Sequence, residues 1–166
     1  FDVIYLPDVY AQGIIEGREE GTTPPDFAKG LGADGIAHLK DFVSEGGTLV
    51  AMEGSTGLLT EEFGLPVSNV LKDVKAVDFY CPGSILSAHF DNGHPLAYGM
   101  PARGQLFFGR SPAFRMIPHF QAETHAVVKY PGKNLLKSGY LLGEEKLTHR
   151  VALAEVTLGQ GKIVLI

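Results

Sequence analysis

The residues best suited to chemistry lie at the bend after the apolar run at residues 48–52, where the chain reads Glu53-Gly54-Ser55 before a helical pattern. A sharp strand-to-helix turn flanked by small residues exposes one side chain at the top of a sheet, as nucleophilic enzymes require. Ser55 is therefore a candidate nucleophile, and all three residues are candidate ligand-binding residues. In the alternative interpretation, Ser55 caps the following helix, because serine is a preferred N-cap residue.

Cys81, in "FYCPGSIL", is the second candidate nucleophile and the only cysteine of the chain. A single cysteine excludes an internal disulfide and a multi-cysteine zinc site. Pro82 follows directly, and proline lacks the backbone N–H that an oxyanion hole usually takes from the next residue. The alternative is a small buried side chain, which is the usual role of a lone cysteine among aromatic residues.

Histidine side chains are candidate metal ligands and candidate ligand-binding residues. "HFDNGHP" brings His89, Asp91 and His94 together at a strand-to-turn junction, and "HLKD" spaces His38 and Asp41 suitably for zinc. An Asp-Asn-Gly turn explains the first cluster, and the exposed face of a helix explains the second. No metal site is predicted, and His94 remains a candidate ligand-binding residue.

Composition limits the classes of function. The chain has 166 residues, 45% of them hydrophobic, which is enough for one domain over 1–166 with its own core. Its formal net charge is −5, and its 14 basic residues are scattered along the sequence, so no nucleic-acid partner is expected. No apolar run has the length of a membrane span. The chain begins at Phe1 and ends within "KIVLI", so we expect a fragment of a longer protein, truncated at both ends.

The elements around the bend form a recognisable unit. "FDVIYLPD" predicts a buried strand, and "GADGIAHLKDFVSEGG" predicts an amphipathic helix with Asp34 as N-cap and Gly46 just past its end. A strand at 48–52 and a helix at about 56–63 follow. Strand, helix and strand in this order predict a right-handed parallel βαβ unit.

The rest of the chain adds antiparallel signals. "GSILSAHFD" and "HAVVKYP" predict strands, and "VALAEVTLGQGKIVLI" predicts a hairpin that turns at "LGQG". Residues 8–32 are polar and rich in glycine and proline, which predicts a long loop that closes over the carboxyl ends of the parallel strands if it is functional. The predicted fold is an α/β three-layer sandwich, with a mainly parallel sheet and a C-terminal antiparallel hairpin.

Six segments, "FDVIYLPD", "GLGADGIAHLKDFVSEGGTLVAM", "LPVSNVL", "CPGSIL", "HPLAYGMP" and "VTLGQGKIVLI", resemble in order a bacterial domain of the class I glutamine amidotransferase-like superfamily. This type of domain follows the catalytic domain of zinc carboxypeptidases of the carboxypeptidase A type. The resemblance implies a flavodoxin-like sheet whose first strand precedes Phe1. It also implies an exported parent protein whose zinc belongs only to a separate peptidase domain, the expected partner.

The resemblance also implies a role for the turn after residue 52. Amidotransferases place a cysteine in this turn and activate it with a histidine, whereas this chain has Glu53-Gly54-Ser55 and lacks a His-x-Glu pair. We therefore predict a non-catalytic accessory or ligand-binding domain, without a cofactor of its own, that binds a small molecule or a peptide at the former elbow. The alternatives are a hydrolase that uses Ser55 or Cys81 with a nearby histidine, and a carbohydrate- or peptide-binding module.

Overall fold

The computed structural model describes residues 1–19, 21–119 and 122–166, which form one mixed sheet with helices packed against it. The strands in these residues are β1 (Val3–Leu6), β2 (Thr48–Ala51), β3 (Val67–Asn69), β4 (Ser84–Phe90), β5 (Arg103–Phe108), β6 (Phe114–Met116), β7 (Thr124–Lys129), β8 (Leu136–Ser138), β9 (Val151–Leu158) and β10 (Gly161–Leu165). The α-helices are α1 (Ala11–Ile15), α2 (Gly32–Ser44) and α3 (Thr56–Glu62).

One half of the sheet is parallel. β2 lies between β1 and β10, and Leu49 at its centre is paired with Ile4 on one side and with Ile163 on the other. The helices α1, α2 and α3 share one hydrophobic core with the same face of these strands. The carboxyl ends of all three parallel strands therefore meet at one edge of the sheet, beside the start of α3.

The other half of the sheet is antiparallel. From β10 the order continues through β9, β7, β4 and β5, and β8 pairs with β4 while β3 and β6 pair with each other beside β9. Leu86, Phe108 and Tyr130 are fully buried in a second hydrophobic cluster on this side. β9 joins the two halves, because it pairs with β10 on one edge and with β7 on the other.

Several local predictions are confirmed. The βαβ unit of β1, α2 and β2 is present, and α2 buries Ile36, Leu39 and Val43. Gly46 has a φ of +116° just past the end of α2, a conformation that glycine adopts without a Cβ clash. The C-terminal hairpin of β9 and β10 is antiparallel, and Gly159 takes a φ of +61° in its two-residue turn.

Two features of the predicted fold are wrong. The sheet is not mainly parallel, since only β1, β2 and β10 run in parallel and every other pairing is antiparallel. The three α-helices of the described residues pack in one core with the same face of the parallel strands, so these residues form two layers there rather than three. β1 is consequently not a buried strand, and Val3 and Tyr5 are exposed on the face without helices.

Two smaller details also differ from prediction. Asp34 lies in the first turn of α2, and the N-cap position belongs to Leu31. The predicted loop at 8–32 contains α1, a short 3₁₀ turn at Pro25–Phe27 and a bridge between Gly17 and Lys29, while its residue Glu20 lies outside the described residues. In the described part of the chain, no helix is long and apolar enough to cross a membrane.

Candidate ligand-binding site

The bend after β2 is a strained strand-to-helix turn, as the sequence predicts. Glu53 has a φ of +47°, a left-handed conformation that is uncommon for any residue other than glycine. Its backbone N–H donates to the carbonyl of Ile166 (2.8 Å), just past the end of β10. The surrounding structure thus holds Glu53 in this conformation, and Glu53 rather than Ser55 occupies the strained position of the turn.

Ser55 fixes the turn from the inside. Its hydroxyl is fully buried, shares its single proton between the carbonyl oxygens of Leu6 (3.0 Å) and Met52 (2.8 Å), and accepts from the N–H of Met52 (2.9 Å). The side chain makes no N-terminal capping hydrogen bond to α3. Ser55 therefore ties the end of β2 to β1, a structural role that neither the nucleophile nor the helix-cap interpretation anticipated.

Asp8 organises the mouth of the site. One of its carboxylate oxygens accepts from the N–H of Gly54 (3.0 Å), and the other accepts from the guanidinium of Arg110 (3.0 Å). A Cβ at position 54 would lie 2.9 Å from Asp8 Oδ1, so a larger residue would displace this carboxylate, and glycine favours the contact. The carboxyl ends of β1 and β2 are thereby linked to the segment that follows β5.

These groups border an open cavity of about 420 Å³ at the carboxyl ends of the parallel strands, which is where open α/β sheets bind ligands. Its lining includes Glu53 and Gly54, the aromatic residue Tyr10, and the hydroxyl-bearing residues Thr56 and Thr60. The volume falls in the range of small-molecule sites. The mixture of hydroxyls, carboxylates and one aromatic ring suits a polar ligand.

The charges of the cavity leave one carboxylate available. Lys72 and Glu61, both on the rim, form an ion pair of 2.6 Å, and this hydrogen bond and charge raise the pKa of the Lys72 ammonium. Asp8 is paired with Arg110. Among the described residues, the Glu53 carboxylate has neither an ion pair nor a hydrogen bond, so it is free to accept hydrogen bonds from a ligand.

One further polar residue belongs to the lining of the cavity. The hydroxyl of Ser68 on β3, a residue that also lines the cavity, is buried and has no hydrogen-bond partner in the structure. A buried hydroxyl without a partner is costly, so Ser68 weakens this edge of the sheet.

The remaining sequence candidates lie elsewhere. Cys81 is buried in the cluster of Leu86, Phe108 and Tyr130, in agreement with the alternative of a small buried side chain. Neither Cys81 nor Ser55 shares a hydrogen bond with a histidine within the described residues. The histidine that the hydrolase alternative requires is therefore not in hydrogen-bonding position.

His94 does not line the cavity. Its Nδ1 accepts from the N–H of Leu96 (3.3 Å), and its Nε2 lies 3.4 Å from the buried Glu155 carboxylate, so the ring fixes the turn after β4 against β9. Asp91 accepts from the N–H of Gly93 (3.3 Å), as expected of an Asp-Asn-Gly turn. In the part of the chain that the structure describes, no group of three His, Cys, Asp or Glu side chains is arranged to hold a metal ion.

Sequence reasoning missed Asp8, Tyr10 and Arg110. Asp8 carries a usable signal, because it stands two residues beyond the end of a parallel strand, at the edge where ligands bind. Arg110 has no such signal in the sequence. It lies 102 residues after Asp8 and is brought to the site by the antiparallel strand β5.

No protein-family model matches this chain, and no curated protein matches it. Solved structures are similar to it in fold. Cytoplasmic proteins STM3548 and STM1381 from Salmonella typhimurium align with TM-scores of 0.53 at 15% and 16% identity. A β-galactosidase from Bacillus circulans sp. alkalophilus aligns with a TM-score of 0.52 at 15% identity. The alignments cover 100% of this chain but 59%, 60% and 20% of those chains, respectively. At such identities the similarity shows a shared fold and nothing about activity.

Proposed function

We propose that this chain is a non-catalytic, ligand-binding accessory domain, in which the nucleophile position of an amidotransferase-like elbow is occupied by Glu53. The observation that best supports this proposal is the unpaired carboxylate of Glu53 at the mouth of the cavity of about 420 Å³. The backbone of Glu53 is held there at a φ of +47°. Strained residues of this kind cluster at functional sites, since the surrounding fold must maintain them. In this proposal the parallel half of the sheet corresponds to the core of a flavodoxin-like domain.

The proposed ligand is small, polar and rich in hydrogen-bond donors. Asp8, Glu53 and Glu61 contribute three acidic groups to the lining, against two basic groups from Lys72 and Arg110. A carboxylate accepts hydrogen bonds and cannot donate them when ionised. The site therefore favours ligands with hydroxyl or ammonium groups, such as a sugar or the amino terminus of a short peptide, and Tyr10 offers a ring on which the apolar face of a ligand can pack.

The same geometry supports a non-catalytic role. Ser55 is committed to three hydrogen bonds with backbone groups, and Cys81 is buried in a different cluster. A serine nucleophile needs an adjacent general base to remove its proton. The backbone carbonyls that accept from Ser55 cannot perform this role, which favours binding over hydrolysis.

The proposal also covers the protein to which this domain belongs. We infer that the parent protein is an exported bacterial zinc carboxypeptidase, whose peptidase domain holds the zinc and contacts this domain. The resemblance of the six sequence segments supports this inference. The encoding reading frame tests it: a His-x-x-Glu pair and a later histidine upstream of Phe1 would support the assignment, and their absence would refute it.

Binding is tested by thermal unfolding in the presence of D-glucose, D-galactose and the dipeptide alanyl-alanine. A ligand that binds only the folded state at 100 times its Kd stabilises it by about 2.7 kcal/mol, which is readily measured as a rise in Tm. We expect at least one of these probes to raise the Tm of the wild-type domain, and Glu53→Gln to abolish the rise.

Glu62→Gln is the matched control, because Glu62 lies at the exposed end of α3 and does not line the cavity. It should leave the rise intact. An equal loss in both variants would contradict a specific role for Glu53. Release of ammonia from glutamine by the isolated domain would contradict the non-catalytic assignment.

A further inference from the structure

The antiparallel half of the sheet carries a concentration of basic side chains that the sequence does not show. His89 on β4 is paired directly with Lys129 on β7 and with Arg103 on β5, so the three residues form a row across adjacent strands. Partners in register project from the same face of a sheet. Residues that are scattered along the sequence are thus gathered at one place on the surface.

A groove of about 340 Å³ adjoins this row. Arg103, Lys133 and Lys137 line it together with His89, and the hydroxyl of Ser87 and the amides of Gln105 and Asn134 contribute polar groups. Its described lining contains no acidic side chain. Among residues 1–19, 21–119 and 122–166, no ion pair involves Lys129 or any basic residue of the lining.

The wall of the groove is well fixed. Asn134 has a φ of +58°, and the Glu144 carboxylate accepts from the backbone N–H groups of Asn134 (2.9 Å) and Leu135 (3.2 Å). The N–H of Ser87 donates to the carbonyl of Leu135 (2.7 Å), which joins this loop to β4. The turn that presents Lys133 is therefore held in place, which reduces the entropic cost of binding.

We propose that this groove binds a compact oxyanion, namely the phosphate or sulfate group of a small molecule. Arg103 and Lys129 lie on the two strands that flank His89, so a bound anion can offset positive charge from both sides. A protein with a net charge of −5 repels anions in general, so three unpaired cations around one groove favour a specific anionic ligand. Arg103 suits such a ligand because a guanidinium can donate two parallel hydrogen bonds to an oxyanion.

The lining favours a compact anion over a polymer. None of the described lining residues is Phe, Tyr or Trp, so the groove lacks the ring on which nucleobases stack. The basic residues also surround one small volume, whereas a polyanion is followed by a positively charged groove that tracks its backbone.

Isothermal titration of the domain with inorganic pyrophosphate and with sulfate tests the proposal, at constant ionic strength set with potassium chloride. We expect pyrophosphate or sulfate to bind. The anion with the higher affinity identifies whether the groove prefers a phosphate or a sulfate group. The triple variant Arg103→Gln/Lys133→Gln/Lys137→Gln should lose about tenfold in affinity, because each exposed charge pair contributes modestly. All three residues are exposed, so the variant should keep its Tm.

Lys75→Gln is the control, because this exposed lysine does not line the groove. It should retain wild-type affinity. Absence of binding by both anions, or an equal loss of affinity in Lys75→Gln, would overturn the proposal. Stronger binding of a single-stranded oligonucleotide or of heparin, with affinity that grows with polymer length, would overturn the assignment to a compact anion. The Glu53 variants should bind these anions as the wild type does, so the two proposals are tested independently.

Discussion

The two ends of this sheet carry sites of opposite charge that are built in different ways. The cavity beside β1 and β2 has one more acidic than basic group, and its centre is a contiguous turn of the chain. The groove on β4 and β5 has only basic charged groups, and its members come from the three strands β4, β5 and β8 and from the loop before β8. A turn of adjacent residues can be found in a sequence by its local pattern. A surface assembled by long-range pairing cannot.

The same difference explains which parts of the fold were predictable. Gly46 and the Gly159 turn were predicted correctly because glycine in these positions reports a local backbone conformation. The antiparallel order of β9, β7, β4 and β5 was not, because it depends on pairing between residues up to several dozen positions apart. The number of helical layers was also mispredicted, since nothing in β1 itself reports whether a helix covers its second face.

The residues of the candidate site show the same difference between local and long-range information. Glu53 and Gly54 were found from the pattern of strand, small residues and helix. Ser55 was found as well, but its hydroxyl points into the protein, and only the position of the Leu6 carbonyl on a neighbouring strand reveals this. Asp8 and Arg110 complete the site through contacts across 46 and 102 positions of the chain, respectively.

The largest expected effect tests whether the two halves fold as one unit. Leu49 is fully buried in the parallel half and Leu86 in the antiparallel half. Leu49→Ala and Leu86→Ala should each reduce the free energy of unfolding by about 2–5 kcal/mol, since each leaves a cavity in a core. Because β9 joins the halves, calorimetry should show one cooperative transition in both variants. Two separate transitions would contradict this picture.

Ser55→Ala should have the next largest effect. Removing the hydroxyl leaves the buried N–H of Met52 and the carbonyl of Leu6 with one hydrogen bond fewer, at a cost of about 1–3 kcal/mol. Chemical denaturation measures this cost, and Ser44→Ala, at an exposed serine on α2, should change little. Retained stability in Ser55→Ala would show that the hydroxyl is not structural.

Glu53→Gly should stabilise the protein. A residue other than glycine in the left-handed region is strained, and glycine relieves the strain at some entropic cost, so we expect a gain of about 0.5–1 kcal/mol. Asp73→Gly is the matched control, because Asp73 has a similar φ of +62° and does not line the cavity. Both variants should gain stability, but only Glu53→Gly should lose the ligand-induced rise in Tm. Lower stability of Glu53→Gly would contradict a strained binding residue.

The smallest effect at neutral pH concerns Tyr130 in the antiparallel core. Burial raises the pKa of its hydroxyl above the ordinary value of 10, so the folded state keeps the proton at a pH where the unfolded state loses it. The contribution of Tyr130 to stability is fully present below about pH 10 and is lost as pH rises above it, at up to about 1.4 kcal/mol per pH unit. Tyr130→Phe should flatten this decline in denaturation curves recorded from pH 8 to 11.

Tyr98→Phe provides the comparison, because Tyr98 is almost fully exposed. Its denaturation curves should follow those of the wild type at every pH. A decline that persists unchanged in Tyr130→Phe would assign the alkaline loss of stability to other groups.

The most direct measurement of the central claim is a ¹⁵N–¹H NMR titration with D-glucose, D-galactose and alanyl-alanine, recorded together with the spectrum of the added compound. We predict that a binding probe shifts the amide signals of Glu53, Gly54 and Gly57, leaves those of Gly104 and Lys137 in place, and remains chemically unchanged over the titration. A product that accumulates, or shifts confined to residues outside the Glu53 cavity, would contradict a binding site without catalysis.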